Sequence, residues 1–272
     1  MKTRMKIGIF DSGLGGLIIT RAIRKTMPEY DYVYFGDTKK LPYGNKSHET
    51  VYKFTKEAVD YLFRKENCAI IIIACNTASA RALRQLQQKY LPKNFKNRKI
   101  LGVLIPTVEV ASNYKRVGIL ATLGTVASKT FIVEIKKLNK KTKVFQNPAP
   151  MLVPLIESGE NILAKPFILK YLRPFKNKKI EALVLGCTHY PILKKEIRKS
   201  MPNKVKIISQ DEIVPNKLKE YFKIHPEITK KLSKNKTIKI FVTDQTQSIN
   251  TMVKKWFGKS KVTVIPDSSL SS

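Results

Sequence analysis

The sequence predicts an α/β protein made of two similar three-layer α/β domains. Each carries a parallel-type sheet, and a pseudo-twofold relation sets the two face to face across a cleft. Three observations carry this. Short apolar runs rich in β-branched residues, 69–74 and 181–186, lack alternation and read as strands buried on both faces, as in parallel sheets. Each run leads into a helix-spaced pattern. The arrangement also repeats. Ile7-Gly8-Ile9-Phe10-Asp11-Ser12 recurs as Val117-Gly118-Ile119-Leu120-Ala121-Thr122, 110 positions later, and Cys75 recurs as Cys187, 112 positions later. Two echoes at nearly one period point to a duplicated half.

In chain order, residues 6–10 form the first strand, and the turn Asp11-Ser12-Gly13-Leu14-Gly15-Gly16 opens a helix running to about 27. The glycines do not make a dinucleotide fingerprint, because Ile18 stands where a third glycine is needed, and no Gly-Lys-Ser/Thr phosphate loop is present. Residues 32–35 form a strand that ends in the loop 36–44, and His48 starts a helix ending near 65, as a surface or capping residue. Cys68 precedes the strand 69–74 and reads as an inert core thiol. Asn76 and Thr77 suit a helix start, with helical spacing over 80–90. A strand over 99–104, a short helix from 105 and the strand 117–120 follow. Residues 144–153 are loop or short strand around Pro148 and Pro150, and a helix occupies about 160–173. The second cysteine strand and its helix lead to a strand at 204–208. Ser209-Gln210-Asp211-Glu212 then caps a helix to about 221. Strands 239–242 and 262–265 flank a helix holding Trp256, and His225 sits incidentally in a polar linker. The tail strands have no counterpart at the repeat offset, so they are expected to rejoin the first domain. The domains are thus 1–98 plus 210–272, and 99–209.

Composition narrows the function. At 43% hydrophobic residues over 272 positions, the chain can bury a core. No run approaches eighteen apolar residues, and Asp11 with nearby glycines interrupts the apolar stretch after the basic start. Neither a membrane span nor a signal peptide is expected. Three cysteines without a C-x-x-C pair fit free thiols in a cytoplasmic protein rather than disulfides or a zinc ribbon. The net charge of +32 permits a basic nucleic-acid-binding protein. Only ten of the 52 basic residues are arginine, however, and the lysines are dispersed without an aromatic stacking motif. They read as a solvated face whose field draws an anionic small molecule.

Cys75 and Cys187 each follow a strand tip and open a helix, the place where ligands bind in open α/β sheets and where a helix start lowers a thiol pKa. Two facing halves put one thiol on each wall of a cleft. Inversion at a carbon centre needs such a pair, one group removing a proton from one face while the other delivers a proton to the opposite face. Asp11 and His189 lie near the same tips and can assist. Cys187-x-His189 alone supplies too few ligands for a metal site. Glu157 is either a surface carboxylate or an acid in an apolar, glycine-terminated setting.

The segments Phe10-Asp11-Ser12-Gly13-Leu14-Gly15-Gly16, Tyr34-Phe35-Gly36-Asp37, Pro42-Tyr43-Gly44, Ala74-Cys75-Asn76-Thr77-Ala78, Thr122-Leu123-Gly124-Thr125, Pro154-Leu155-Ile156-Glu157 and Gly186-Cys187-Thr188-His189-Tyr190-Pro191 closely resemble the glutamate racemases of the aspartate/glutamate racemase family. The resemblance runs in order from 7 to about 211. It implies racemisation of glutamate without cofactor or metal, supply of D-glutamate for peptidoglycan, a site between two α/β domains and a homodimer. Cys75 and Cys187 would be the proton donors and acceptors, the first acting on D-glutamate and the second on L-glutamate. Asp11, Glu157 and His189 would assist. Asp11, Ser12, Pro42, Tyr43, Gly44, Asn76, Thr77, Thr122, Thr125, Thr188 and His189 would hold the substrate. The same resemblance leaves aspartate or another amino acid as the alternative substrate. Residues 208–212 depart from the family's usual Asp-Ser, and the charge of +32 is not a family property.

Overall fold

The computed structural model describes residues 4–270. Its strands are β1 (Lys6–Asp11), β2 (Tyr32–Gly36), β3 (Cys68–Ile73), β4 (Lys99–Gly102), β5 (Arg116–Ala121), β6 (Lys143–Pro148), β7 (Ala182–Gly186), β8 (Lys206–Ile208), β9 (Ile238–Val242) and β10 (Val262–Val264). All pairings between them are parallel. They form a six-stranded sheet in the order β10-β9-β2-β1-β3-β4 and a four-stranded sheet in the order β6-β5-β7-β8. The run β2-β1-β3-β4 matches β6-β5-β7-β8 strand for strand, which is the duplication that the 110-position echo announced.

That match also explains one difference from expectation. Residues 99–102 were expected to open the second domain. They instead form the edge strand β4, pairing with β3 from Ile70↔Lys99 to Ile73↔Gly102. β4 is the counterpart of β8, so the repeat needs it in the first sheet. The tail strands β9 and β10 extend that same sheet beyond β2.

The apolar composition of the central strands follows from their burial. β3 is buried along its whole length, with Ile70 to Ile73 covered by helices on both faces. Each such side chain contributes roughly 1.5–3 kcal/mol. The helix Gly16–Thr26 buries Leu17, Thr20 and Ile23 at helical spacing, and the helix His48–Arg64 buries Val51, Thr55, Ala58 and Leu62. Ser47 caps the latter by accepting the Thr50 amide at 3.2 Å. The helical spacing after Cys75 is realised with interruptions, Asn76–Arg81 continuing through a π-turn at Leu86–Tyr90. Residues 143–148, expected as loop or short strand, are β6; Pro148 is tolerated because β6 is an edge strand.

In each sheet the chain steps to one side of the first strand and then crosses to the other. The resulting switch points lie between the carboxyl ends of β1 and β3, and of β5 and β7. Asp11 and Cys75 stand at the first. Thr122 and Cys187 stand at the second. No helix among the described residues is long and apolar enough to cross a membrane.

Candidate active site

Cys75 occupies the cap position of the helix Asn76–Arg81. Its sulfur accepts the Ala78 amide at 3.4 Å and the Ser12 hydroxyl at 3.3 Å. Both bonds favour the thiolate, as the helix start was expected to do. They are outweighed. Burial, and then the charge of Asp11, push the thiol up to about 12. Cys75 is therefore favoured as the thiol, against the expectation of a lowered value. Asp11 is fully buried; its carboxylate accepts the Gly13 amide at 3.1 Å and the Thr188 hydroxyl at 3.4 Å. Burial raises its own value, against the charge of His189 and the amides of Gly16 and Gly13.

Cys187 has a different partner. His189 Nδ1 lies 3.7 Å from its sulfur, and His189 Nε2 lies 2.9 Å from a Glu157 carboxylate oxygen. Burial pulls the imidazole down, but bonds and charges from Cys187 and Glu157 reverse this and hold it well above its ordinary value. The ring also packs perpendicular to that of Trp256, centroid to centroid 5.8 Å at 87°. The close packing depends on Gly15. A Cβ there would fall 2.5 Å from His189 Nδ1 and 2.6 Å from the Thr188 hydroxyl.

The two thiols line one cavity of about 310 Å³. They retain 5% and 6% exposure, whereas Cys68 has none. Cys68 is pushed above its ordinary range by burial, consistent with an inert core thiol. Larger hollows of about 530 and 930 Å³ elsewhere hold no thiol, so chemistry rather than size marks the site. Two contacts tie the walls together. The Thr77 hydroxyl lies 2.9 Å from that of Thr122. The Arg81 guanidinium donates to the Lys46 carbonyl at 2.6 Å and the Gly124 carbonyl at 3.2 Å.

With this geometry in place, comparison with known proteins is decisive. A sequence model of the family described as Asp/Glu/Hydantoin racemase matches residues 17–213. The chain belongs to this racemase family. It is 36% identical to the glutamate racemase of Sulfurihydrogenibium sp. over 98% of this chain and all of that protein. It is 34% identical to the glutamate racemase of Aquifex aeolicus over 94% and 95% of the two chains. Its structure matches that of glutamate racemase from Francisella tularensis, solved in complex with D-glutamate, with a TM-score of 0.88, 31% identity and coverage of 97% and 98%. The protein is thus a racemase, an isomerase, on the two-domain α/β fold of these structures.

The racemase brings most of the sequence-predicted site residues to one place. Ser12, Pro42, Tyr43, Gly44, Asn76, Thr77, Thr122, Glu157, Thr188 and His189 line the cavity beside the two cysteines. Asp11 and Thr125 do not line it. Asp11 stands behind Thr188, and Thr125 bonds the hydroxyls of Thr77 at 3.4 Å and Thr122 at 3.0 Å from behind. Tyr43 lines it with its hydroxyl turned away, donating to Asp37 at 2.6 Å while Thr243 donates to the same carboxylate at 2.8 Å. Asn76 likewise turns its amide away, to Gln210. Gln210, Trp256 and Thr243 were not anticipated near the site. They come from the tail and from the crossing into it, and no local pattern marks such contacts.

Proposed function

We propose that this racemase interconverts L- and D-glutamate by two-base proton transfer between Cys75 and Cys187. One observation carries the reading: two thiols, one from each switch point, close the same cavity from opposite sheets. The many glutamate racemases among its relatives, and the D-glutamate held by the Francisella structure, support glutamate as substrate.

In the proposed reaction one cysteine is thiolate and the other thiol. The thiolate takes the α-proton; the Cα–H bond breaks, an S–H bond forms, and the electron pair passes into the α-carboxylate. The opposite thiol then gives its proton to the other face of Cα, leaving the inverted amino acid and the two sulfurs with exchanged roles. Cys187, acting on L-glutamate, exchanges its proton with His189, which Glu157 orients. Cys75, acting on D-glutamate, is steadied by Ser12 and the Ala78 amide. Asp11, behind the wall, positions Thr188 and sets the charge around Cys75. Hydroxyls of Ser12, Thr77, Thr122 and Thr188 suit the two substrate carboxylates. The resemblance also supports a cytoplasmic homodimer whose D-glutamate feeds peptidoglycan.

Incubation with each glutamate enantiomer in D₂O tests this. Circular dichroism should decay to zero as α-deuterium enters the product, without added cofactor. Cys75→Ala and Cys187→Ala should each abolish net racemisation; full turnover by either variant refutes the two-base assignment.

A further inference from the structure

We infer that Gln210 is a positioning residue for the Cys75 side of the reaction, acting through Asn76. The two side-chain amides form a reciprocal pair. Asn76 Nδ2 donates to Gln210 Oε1 at 2.7 Å, and Gln210 Nε2 donates to Asn76 Oδ1 at 2.8 Å. Gln210 Nε2 also reaches the Thr107 hydroxyl at 3.2 Å and the Val103 carbonyl at 3.5 Å. A carbonyl can only accept, which fixes the orientation of the Gln210 amide and hence that of Asn76. Thr107 donates its own proton to the Val103 carbonyl at 2.8 Å, leaving its oxygen free to accept from Gln210. Gln210, Asn76 and Thr107 are all buried, so each bond stands without competition from water.

The location gives the pair its meaning. Asn76 follows Cys75 directly and begins its helix. Residues 103–107 carry the chain from the first sheet to the second, and Gln210 begins the helix Gln210–Ile224 that carries it back. Both crossings between the sheets are thus pinned to the residue beside one thiol. The corresponding residue of the other half is Thr188, which bonds Asp11 instead. The device is therefore one-sided. Loss of the Gln210 amide lets the start of the Cys75 helix drift, while the Cys187–His189–Glu157 row keeps its own supports.

The inference rests on the racemase reading above, with Cys75 facing D-glutamate. Its test uses the full chain and isosteric Gln210→Met, with 2-deuterated D- and L-glutamate in ordinary water. The variant should lose about tenfold in kcat/KM, equally in both directions because the equilibrium constant of racemisation is one. The primary isotope effect on kcat/KM should rise with D-glutamate, whose deuteron Cys75 removes. It should fall toward unity with L-glutamate, whose deuteron Cys187 removes in a step that no longer limits. A merely structural role would lower the active fraction and leave both isotope effects unchanged. If Gln210→Met does not fold, Gln210→Glu, which keeps the acceptor and loses the donors, and Thr107→Val should shift both isotope effects in the same sense by less. If the unaltered chain does not racemise glutamate, the functional reading fails first. If it does, isotope effects in the variants that stay unchanged, or move in the opposite sense, overturn the positioning role.

Discussion

Gly15→Ala tests the site by adding a single carbon. Gly15 has φ −58° and ψ −33°, a conformation alanine adopts freely, so the backbone needs no change. The effect is spatial. The new Cβ would lie 2.5 Å from His189 Nδ1, 2.6 Å from its Cε1 and 2.6 Å from the Thr188 hydroxyl oxygen, where ordinary contact begins at 3.4 Å. The imidazole must retreat by about 0.9 Å, the gap between those contacts and ordinary packing. Its retreat is obstructed. Nε2 is bonded to Glu157 at 2.9 Å, and Trp256 packs perpendicular to the ring at 5.8 Å. Moving the ring lengthens the 3.7 Å approach to Cys187 or breaks the Glu157 bond. A misplacement of about 1 Å costs on the order of 10²-fold in rate, equivalent to ~2.7 kcal/mol of barrier. Overpacking costs folding ~1–3 kcal/mol, which a domain of this size survives. Circular dichroism at fixed glutamate gives kcat, and thermal unfolding shows whether the variant is native. A native variant with kcat within twofold of the unaltered chain would show that His189 does not govern the rate.

Glu157→Gln keeps a hydrogen-bonding partner for His189 but removes its charge, so the imidazole should titrate lower, as followed by NMR. Because the folded value is raised, protonated His189 stabilises the fold fully below about pH 6.5 and loses that contribution as pH rises through the folded value; urea titrations should show this pH-dependent stability shrink in the variant. Asp31 behaves oppositely. Burial pushes it up, but bonds from Ser233, Thr237 and Asn235 prevail and hold it at about 2 against an ordinary 3.8. Its contribution is present above about pH 4 and is lost as pH falls through the folded value of about 2, so Asp31→Asn should lower urea stability by more at pH 7 than at pH 3. Arg81→Ala removes the bridge between the Lys46 and Gly124 carbonyls across the cleft; KM for glutamate should rise about tenfold with kcat changed less, and an unchanged KM would show that the bridge does not hold the closed cleft.

The repeat made most of this architecture legible. Cys75 and Cys187 announced themselves because strand tips at switch points carry local signatures: an apolar run, then a small or polar residue and a helix start. Glu157, read with two meanings, resolves as a partner of His189 because the helix Leu152–Glu157 ends beside Cys187. Two features escaped. Residues 99–102 were expected in the second domain and pair with β3 instead, because pairing partners are not encoded in a four-residue strand. The support of the site by Gln210, Thr243 and Trp256 escaped because each contact spans a long stretch of chain, as in the 134 positions between Asn76 and Gln210. The thiol pKa of Cys75 was misjudged for a related reason. A helix start is visible in sequence, but the burial and the Asp11 charge that overcome it are tertiary facts.

The same facts explain why two duplicated halves hold their thiols differently. A two-base racemase with equivalent thiols would carry no preference for the state it needs, one proton shared between two sulfurs. Here the Asp11 carboxylate and burial oppose a thiolate at Cys75. At the opposite wall the bonds and charges of Cys187 and Glu157 hold His189 well above its ordinary value, with Nδ1 3.7 Å from the Cys187 sulfur. Under the proposed reaction Cys75 must therefore be deprotonated against its surroundings before it can act as the base. In the proposed reaction of D-glutamate Cys75 is the base, so bound substrate would have to offset that burial and charge. The elements that break the repeat support both sides: the tail strand β9 leads to Thr243 behind the Tyr43 loop, and the helix Gln247–Trp256 brings Trp256 against His189. The symmetric scaffold supplies two faces for one carbon, and the tail elements brace each wall differently, Thr243 through Asp37 behind Tyr43 and Trp256 against His189.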